Sequence, residues 1–390
     1  MSGLDGTLDD TRAILADLIA FPTVSAVTNL DLIDWCAGRL EALGARCEIS
    51  RDATGAKANL FATIGPDIDG GVVLSGHTDV VPVAGQDWTS DPFIAVERDG
   101  LIHGRGACDM KGFIACALAL APRIARADLK RPVHFALSYD EEVGCLGAPV
   151  MLKALAASGR RPGICIIGEP TEMRVIEGHK GCCEYTTRFS GLAGHSAAPA
   201  LGVSAVEYAV RYAGRLLELR QELLARRPPG SRFEPPESTV QLGGMRGGVA
   251  HNVIADHCEL DWEVRPVVEA DIDFVKREIA AYVAGTLLPA MRAVHAEASI
   301  ETEVIGEVIG LEPVPGSEAC ELVAELTGSN TRGLVAFGTE AGLFQRQGIS
   351  AVVCGPGSIG QAHKADEFVA VEQLRQCLEM IGRLVTKLER

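Results

Sequence analysis

The stretch VVLSGHTD, residues 72–79, carries an apolar run directly into His77-Thr78-Asp79 with no loop between. This reads as a buried strand with a polar C-terminal end, the place where α/β proteins gather reactive groups. The pattern recurs three times. VHFALS (133–138) runs into Tyr139-Asp140-Glu141-Glu142, and GICIIG (163–168) into Glu169-Pro170-Thr171. ISAVVC (349–354) runs into Gly355-Pro356-Gly357, followed by His363. Around these runs, apolar residues at helical spacing predict helices over 11–20, 31–43, 113–125, 317–326 and 371–388. Asp9-Asp10 is placed to cap the first of them. Strands alternating with helices predict an α/β domain with a mainly parallel central sheet and flanking helices. Glu141 and Glu142, read as extended backbone, are expected to point opposite ways.

After Gly181 the texture changes. Segments 183–190, 238–245, 258–265 and 298–304 alternate with period two, whereas 205–224 and 272–294 are helical, the latter with Pro289 in its last turn or at a kink. The order strand–helix–strand–strand–helix–strand predicts an inserted α+β unit with one four-stranded sheet. At roughly 100–200 residues per domain, 390 residues suit two. The expected division is a discontinuous domain of 1–181 and 308–390, with a second domain of 182–307.

Hydrophobic residues make up 47% of the chain and charged residues 23%, an ordinary globular balance. A net charge of −16 argues against nucleic acid and against anionic lipid as partners. The 12 cysteines include no CxxC pair, so small buried thiols are expected rather than a disulfide framework. The N-terminal residues lack the basic and apolar regions of a signal peptide, and no apolar run reaches the roughly 20 residues of a membrane helix, so a cytoplasmic location is expected.

The strand ends collect His77, Asp79, Asp109, Glu141, Glu142, Glu169 and His363. Singly, each has an ordinary explanation: a surface His after a glycine, a turn Asp, or a carboxylate pair favoured by a helix N-terminus. Together they form a crowd of like charge that needs cations. Two imidazoles with carboxylates suit Zn²⁺, Co²⁺ or Mn²⁺ better than Mg²⁺ or Ca²⁺. GRGACDMKG (104–112) does not match the GxxxxGK[ST] phosphate loop, and Cys108 within it has no motivated base, so it reads as a packing residue.

Six motifs then occur in order: SGHTDVVP (75–82), GRGACDMKG (104–112), DEEVG (140–144), GEPT (168–171), GLAGHSAAP (191–199) and GQAHKADE (360–367). Together they resemble the M20 family of metallopeptidases and deacylases across nearly the whole chain. The resemblance implies two divalent ions, Zn²⁺ or else Co²⁺. It places His77, Asp109 and Glu169 on one ion and Asp109, Glu142 and His363 on the other, with Asp109 bridging. It makes Glu141 the general base, Asp79 the residue that orients a ligand histidine, and His195 the group that stabilises the oxyanion across a homodimer. Asn252 and Arg265 match substrate-contact positions, and 182–307 becomes a lid and dimerisation domain. The implied substrate is a small N-acyl amino acid. GHTDVVPVAGQDW (76–88), HKG (179–181), FGTEAGLFQ (337–345) and VVCGPGSIGQAHKADEFV (352–369) are most similar to members that deacetylate N-acetylornithine. Glu340, in that third stretch, is expected to favour a substrate with a free ammonium, or else to sit as a helix N-terminal carboxylate. Desuccinylation of succinyl-diaminopimelate, a broader aminoacylase or dipeptidase activity, and a metal-free binding protein of the same fold are the alternatives.

Overall fold

The computed structural model describes residues 2–390, with side chains from Asp5 onward. The chain forms two compact units. The first contains the residues up to Gly178 together with Pro313–Leu334 and Thr339–Arg390; the second is His179–Glu312 with Val335–Gly338.

In chain order, the first unit opens with α1 (Ser2–Ala20), α2 (Leu30–Glu41), β1 (Arg46–Arg51), β2 (Ala58–Ile64), β3 (Val72–His77), β4 (Val96–Arg98) and β5 (Leu101–His103). A kinked turn, Ala107–Lys111, in which Asp109 and Met110 leave the helical region, leads into α3 (Gly112–Arg126), followed by β6 (Val133–Ser138), α4 (Gly147–Ser158), β7 (Ile164–Pro170) and β8 (Ile176–His179). The second unit holds β9 (Cys182–Ser190), α5 (Ala205–Ala225), β10 (Thr239–Gly247), β11 (His257–Arg265), α6 (Glu269–Tyr282), α7 (Leu288–Arg292) and β12 (Ser299–Val308). The chain closes with α8 (Glu318–Thr327), β13 (Gly333–Val335), α9 (Ala341–Arg346), β14 (Ser350–Gly355), β15 (Phe368–Ala370) and α10 (Val371–Leu388).

The large sheet has the order β1-β2-β6-β3-β7-β14-β8-β13. Its central four strands, β6, β3, β7 and β14, run parallel, whereas β1, β2 and β8 join antiparallel. Helices cover both faces, so β2, β3, β6 and β7 are buried along their whole length. That double burial is why they appear in the sequence as unbroken apolar runs. In the parallel core all C-terminal ends lie along one edge, so His77, the residues after Ser138, Glu169 and the loop after Gly355 emerge on the same side.

The second unit carries the four-stranded sheet β10-β11-β9-β12, antiparallel throughout. Alternate residues of β9 and β11 turn inward, Cys183, Tyr185 and Phe189 beside Cys258, Leu260, Trp262 and Val264, and meet the apolar stripe of α5 from Ala205 to Leu223.

Three details depart from the sequence reading. The first helix begins seven residues before Asp9, so Asp9-Asp10 caps nothing. Leu8 extends the apolar stripe of Leu15, Leu18 and Ile19, and Asp9 pairs with Arg12 on the exposed face. The expected helix over 272–294 forms without a break over Glu269–Arg292, with Pro289 in its last stretch as expected, but it contains a π-helical turn at Val283–Leu287, between α6 and α7, that the sequence did not show. A small third sheet, β15-β5-β4, is built from strands of three residues each, too short to show a period. The cysteines are free and all but Cys47 and Cys182 are buried. Among the described residues no helix is long and apolar enough to cross a membrane.

Phe113 at the start of α3 lies against Gly168 of β7, where a Cβ would stand 1.9 Å from the ring. Gly168→Ala is therefore expected to cost about 3 kcal/mol by overpacking. Adding Phe113→Ala should recover part of that loss in denaturant unfolding, and simple additivity of the two changes would contradict the contact.

Candidate metal centre

His77 is the last residue of β3. Its Nδ1 donates to the backbone carbonyl of Asp79 at 2.9 Å, which leaves Nε2 facing the carboxylates. Nε2 stands 2.9 Å from Asp109 Oδ1 and 3.6 Å from Glu169 Oε1. On the other side, His363 Nε2 stands 3.4 Å from Asp109 Oδ2 and 3.0 Å from Glu142 Oε2. The two oxygens of Asp109 thus face two different imidazoles, and each imidazole has a carboxylate of its own. All these residues are buried at the strand-end edge except the half-exposed His363, which reaches in from its loop with φ +63°.

Asp79 works through both its backbone and its side chain. Oδ1 accepts from the Glu141 amide at 3.0 Å, and Oδ2 accepts from the Glu142 amide at 3.3 Å and from Ser25 Oγ at 2.7 Å. Glu141 and Glu142 consequently lie in a turn, with Asp140 at φ +53°, and not in the extended backbone expected from sequence. One carboxylate gripping two successive amides curls the chain. Lys57 pairs with Asp140 behind this turn and also donates to the Ser25 carbonyl.

The electrostatics follow from crowding. Burial, reinforced by neighbouring carboxylates, pushes Glu141, Glu142 and Glu169 upward. Burial opposes charge on His77, but Asp109, Glu169 and Glu141 outweigh it and raise the imidazole well above its usual range. Hydrogen bonds that His363 donates to Asp109 and Glu142 raise it to about 10. Asp109 is buried, yet the two imidazoles hold it below the usual carboxylate range. Such a concentration of acidic groups around two imidazoles fits divalent cations, which would replace the protons now shared among them. His77, Glu141 and Glu169 can bring ligand atoms within 4.8 Å of one another, as can His77, Asp109 and Glu142. Proximity alone therefore also admits Glu141 as a ligand.

Glu340 precedes α9 and is 1% exposed, so in this conformation it is closed to a ligand. Its carboxyl faces the hydroxyls of Ser138 and Ser75, its Oε1 has no hydrogen-bond partner, and burial pushes it up to about 7. Cys108 is buried with its thiol on the Ser358 carbonyl at 3.3 Å, and burial pushes it far above the usual thiol range. His195, Asn252 and Arg265 belong to the second unit. The Asn252 carbonyl accepts from the Ser196 amide at 3.1 Å, and His195 Nδ1 accepts from the Ala197 amide at 3.0 Å, so these two sit in adjoining loops. Arg265 is paired with Glu263 at 2.9 Å and lies 4.0 Å from Glu184. Sequence reasoning missed Ser25, Arg105, Gln86 and Glu367, which support the centre. Arg105, Glu367 and Gln86 carried a signal, as members of the stretches GRGACDMKG, GQAHKADE and GHTDVVPVAGQDW, whereas Ser25 carried none.

The profile of peptidase family M20/M25/M40 matches residues 73–387. The chain belongs to this family. Acetylornithine deacetylase from Myxococcus xanthus is 37% identical over 391 residues, covering 98% of each chain. The enzyme of that name from Shigella sonnei is 34% identical over 375 residues, covering 94% of this chain and 95% of that one. The fold matches aminopeptidase PepT from Bacillus cereus with a TM-score of 0.72 at 18% identity, covering 98% of this chain and 99% of that one. As a member of the M20/M25/M40 family with these relatives, the protein is a metal-binding hydrolase that acts on amides.

Replacing Asp79 with Ala frees the Glu141 and Glu142 amides and the Ser25 hydroxyl together. Turnover of an N-acyl amino acid is expected to fall roughly 10–100-fold, with weaker metal retention, in line with other residues that orient ligands. Unchanged kinetics and metal content would show that the turn holds without this carboxylate.

Proposed function

We propose that this protein hydrolyses the amide bond of an N-acyl amino acid, N2-acetyl-L-ornithine, to acetate and L-ornithine, a step of arginine biosynthesis. The observation that carries the reading is the shared Asp109, whose two oxygens each face an imidazole–carboxylate pair. His77, Asp109 and Glu169 would hold one ion, and Asp109, Glu142 and His363 the other. Zn²⁺ fits this donor set, with Co²⁺ the alternative. When bound, the ions supply polarisation of the scissile carbonyl and acidification of the attacking water.

Glu141 stands beside this group, its carboxylate within 4.8 Å of ligand atoms of His77 and Glu169, on the turn that Asp79 holds. It takes one proton from the attacking water as the new C–O bond forms, and returns it to the leaving nitrogen as the C–N bond breaks. The water's second proton passes from the new carboxylic acid to the amine, so the products are a carboxylate and an ammonium group. Asp79 fixes His77 through its carbonyl and Glu141 through its carboxylate, so acid–base group and ligand share one anchor. His195 is assigned to stabilise the developing oxyanion, and Asn252 and Arg265 to hold the substrate, Arg265 through its fork of donors. In this reading 182–307 serves as lid and dimerisation domain, 1–181 and 308–390 as the catalytic domain, and the enzyme acts in the cytoplasm as a homodimer. The substrate choice is supported by the two relatives of that name at 34–37% identity over nearly full length. Glu340, being buried, is not placed against the substrate.

The test is turnover of N-acetyl-L-ornithine, N-acetyl-L-methionine and N-succinyl-L,L-diaminopimelate by protein stripped with chelator and reloaded with Zn²⁺ or Co²⁺. Acetate release restored by metal, fastest with acetylornithine, is expected. Preference for another member overturns the substrate, and turnover unaffected by stripping overturns the metal chemistry. Glu141→Ala should lower kcat by about 10²–10⁴-fold with metal content unchanged. Loss of metal instead would make Glu141 a ligand.

A further inference from the structure

The first imidazole of the centre stands on a strand, whereas the second, His363, stands on a loop, so something other than strand pairing must fix it. Arg105 and Glu367 supply that support. Each is 1% exposed, and they pair at 2.6 Å between Nη1 and Oε2. The second oxygen of Glu367 accepts from the amides of Cys108 at 2.9 Å and Asp109 at 3.0 Å. Arg105 Nη2 donates to Gln86 Oε1 at 2.5 Å, and Gln86 Nε2 donates to the carbonyl of His363 at 3.1 Å. Arg105 Nη1 also reaches the Lys364 carbonyl at 3.3 Å, and the Trp88 ring covers the guanidinium at 5.0 Å. The chain of contacts is closed: Asp109 amide, Glu367, Arg105, Gln86, His363 carbonyl. It joins the backbone of Asp109, assigned to both ions, to that of His363, assigned to one, and does not touch Glu169 or His77.

A buried ion pair contributes little net stability compared with apolar packing. What this pair does contribute is geometry, since Glu367 Oε1 holds two backbone amides while its Oε2 holds Arg105, and the two terminal guanidinium nitrogens reach the Lys364 carbonyl and Gln86. We infer that Glu367, Arg105 and Gln86 are positioning residues for the ion held by Asp109, Glu142 and His363, and that they set its affinity more strongly than that of the ion held by His77, Asp109 and Glu169, to which they connect through Asp109 alone. This rests on the metal-centre reading above and assigns unequal roles to its two halves. The His77 half is anchored by strand backbone, and the His363 half by this relay.

The variants are Glu367→Gln and Gln86→Ala. Glutamine retains one acceptor for the Cys108 and Asp109 amides, but its NH₂ cannot accept from Arg105. Gln86→Ala is the safer change, because Gln86 is only half-buried and its loss cuts the relay at the His363 end alone. The measurement is equilibrium dialysis against graded free Zn²⁺ with ion content per chain by mass spectrometry, alongside thermal unfolding of the stripped proteins. Two ions per chain are expected in the unaltered protein. In Glu367→Gln one ion, which shares only Asp109 with the relay, should weaken distinctly less than the other, which weakens roughly 10–100-fold. In Gln86→Ala the same ion should weaken less, with the melting temperature of the stripped protein unchanged. Equal weakening of both ions in both variants, or none in either, overturns the inference and leaves the metal centre standing. Fewer than two ions in the unaltered protein overturns both. If Glu367→Gln does not fold, the Gln86→Ala result decides alone.

Discussion

Everything in the catalytic unit turns on one shared carboxylate. Asp109 is a buried anion between two imidazoles, with Glu142 and Glu169 close enough to repel it. In water the arrangement would disperse; within the protein it persists because each group is held from behind by backbone. His77 is pinned by the Asp79 carbonyl, and the Glu141–Glu142 turn by the Asp79 side chain. The Asp109 amide is held by Glu367. Repulsion among the side chains is thus opposed by hydrogen bonds to the main chain, and the site is preorganised for positive charge.

The parallel core explains why these groups converge. Four adjacent strands ending on one edge deliver His77, the Glu141–Glu142 turn, Glu169 and the His363 loop from positions up to 286 residues apart in sequence. No one segment builds the centre, and no local change could assemble it. The antiparallel sheet of the second unit follows a different logic, with one apolar face against two helices and one polar face.

Much of this was legible in the sequence where burial acts on both faces. β3, β6, β7 and β14 show as apolar runs because helices cover them twice over, and polar residues directly after such runs mark the strand ends. The four-stranded sheet was legible for the opposite reason, because β9 and β11 are buried on one side and alternate. What could not be read depends on distant partners. The turn at Glu141–Glu142 is imposed by a carboxylate 62 residues earlier. The Arg105–Glu367 pair spans 262 residues, and nothing local marks an arginine for complete burial. The strands β4, β5 and β15 are too short for any period, and the π-helical turn after Tyr282 lies within a helix whose apolar spacing runs on through it.

The most direct test of the account is anomalous diffraction at the zinc edge from crystals of the zinc-loaded protein. Two peaks on either side of the Asp109 carboxylate are predicted, one beside His77 and Glu169, the other beside Glu142 and His363. A single peak, or two peaks that do not share Asp109, would contradict it.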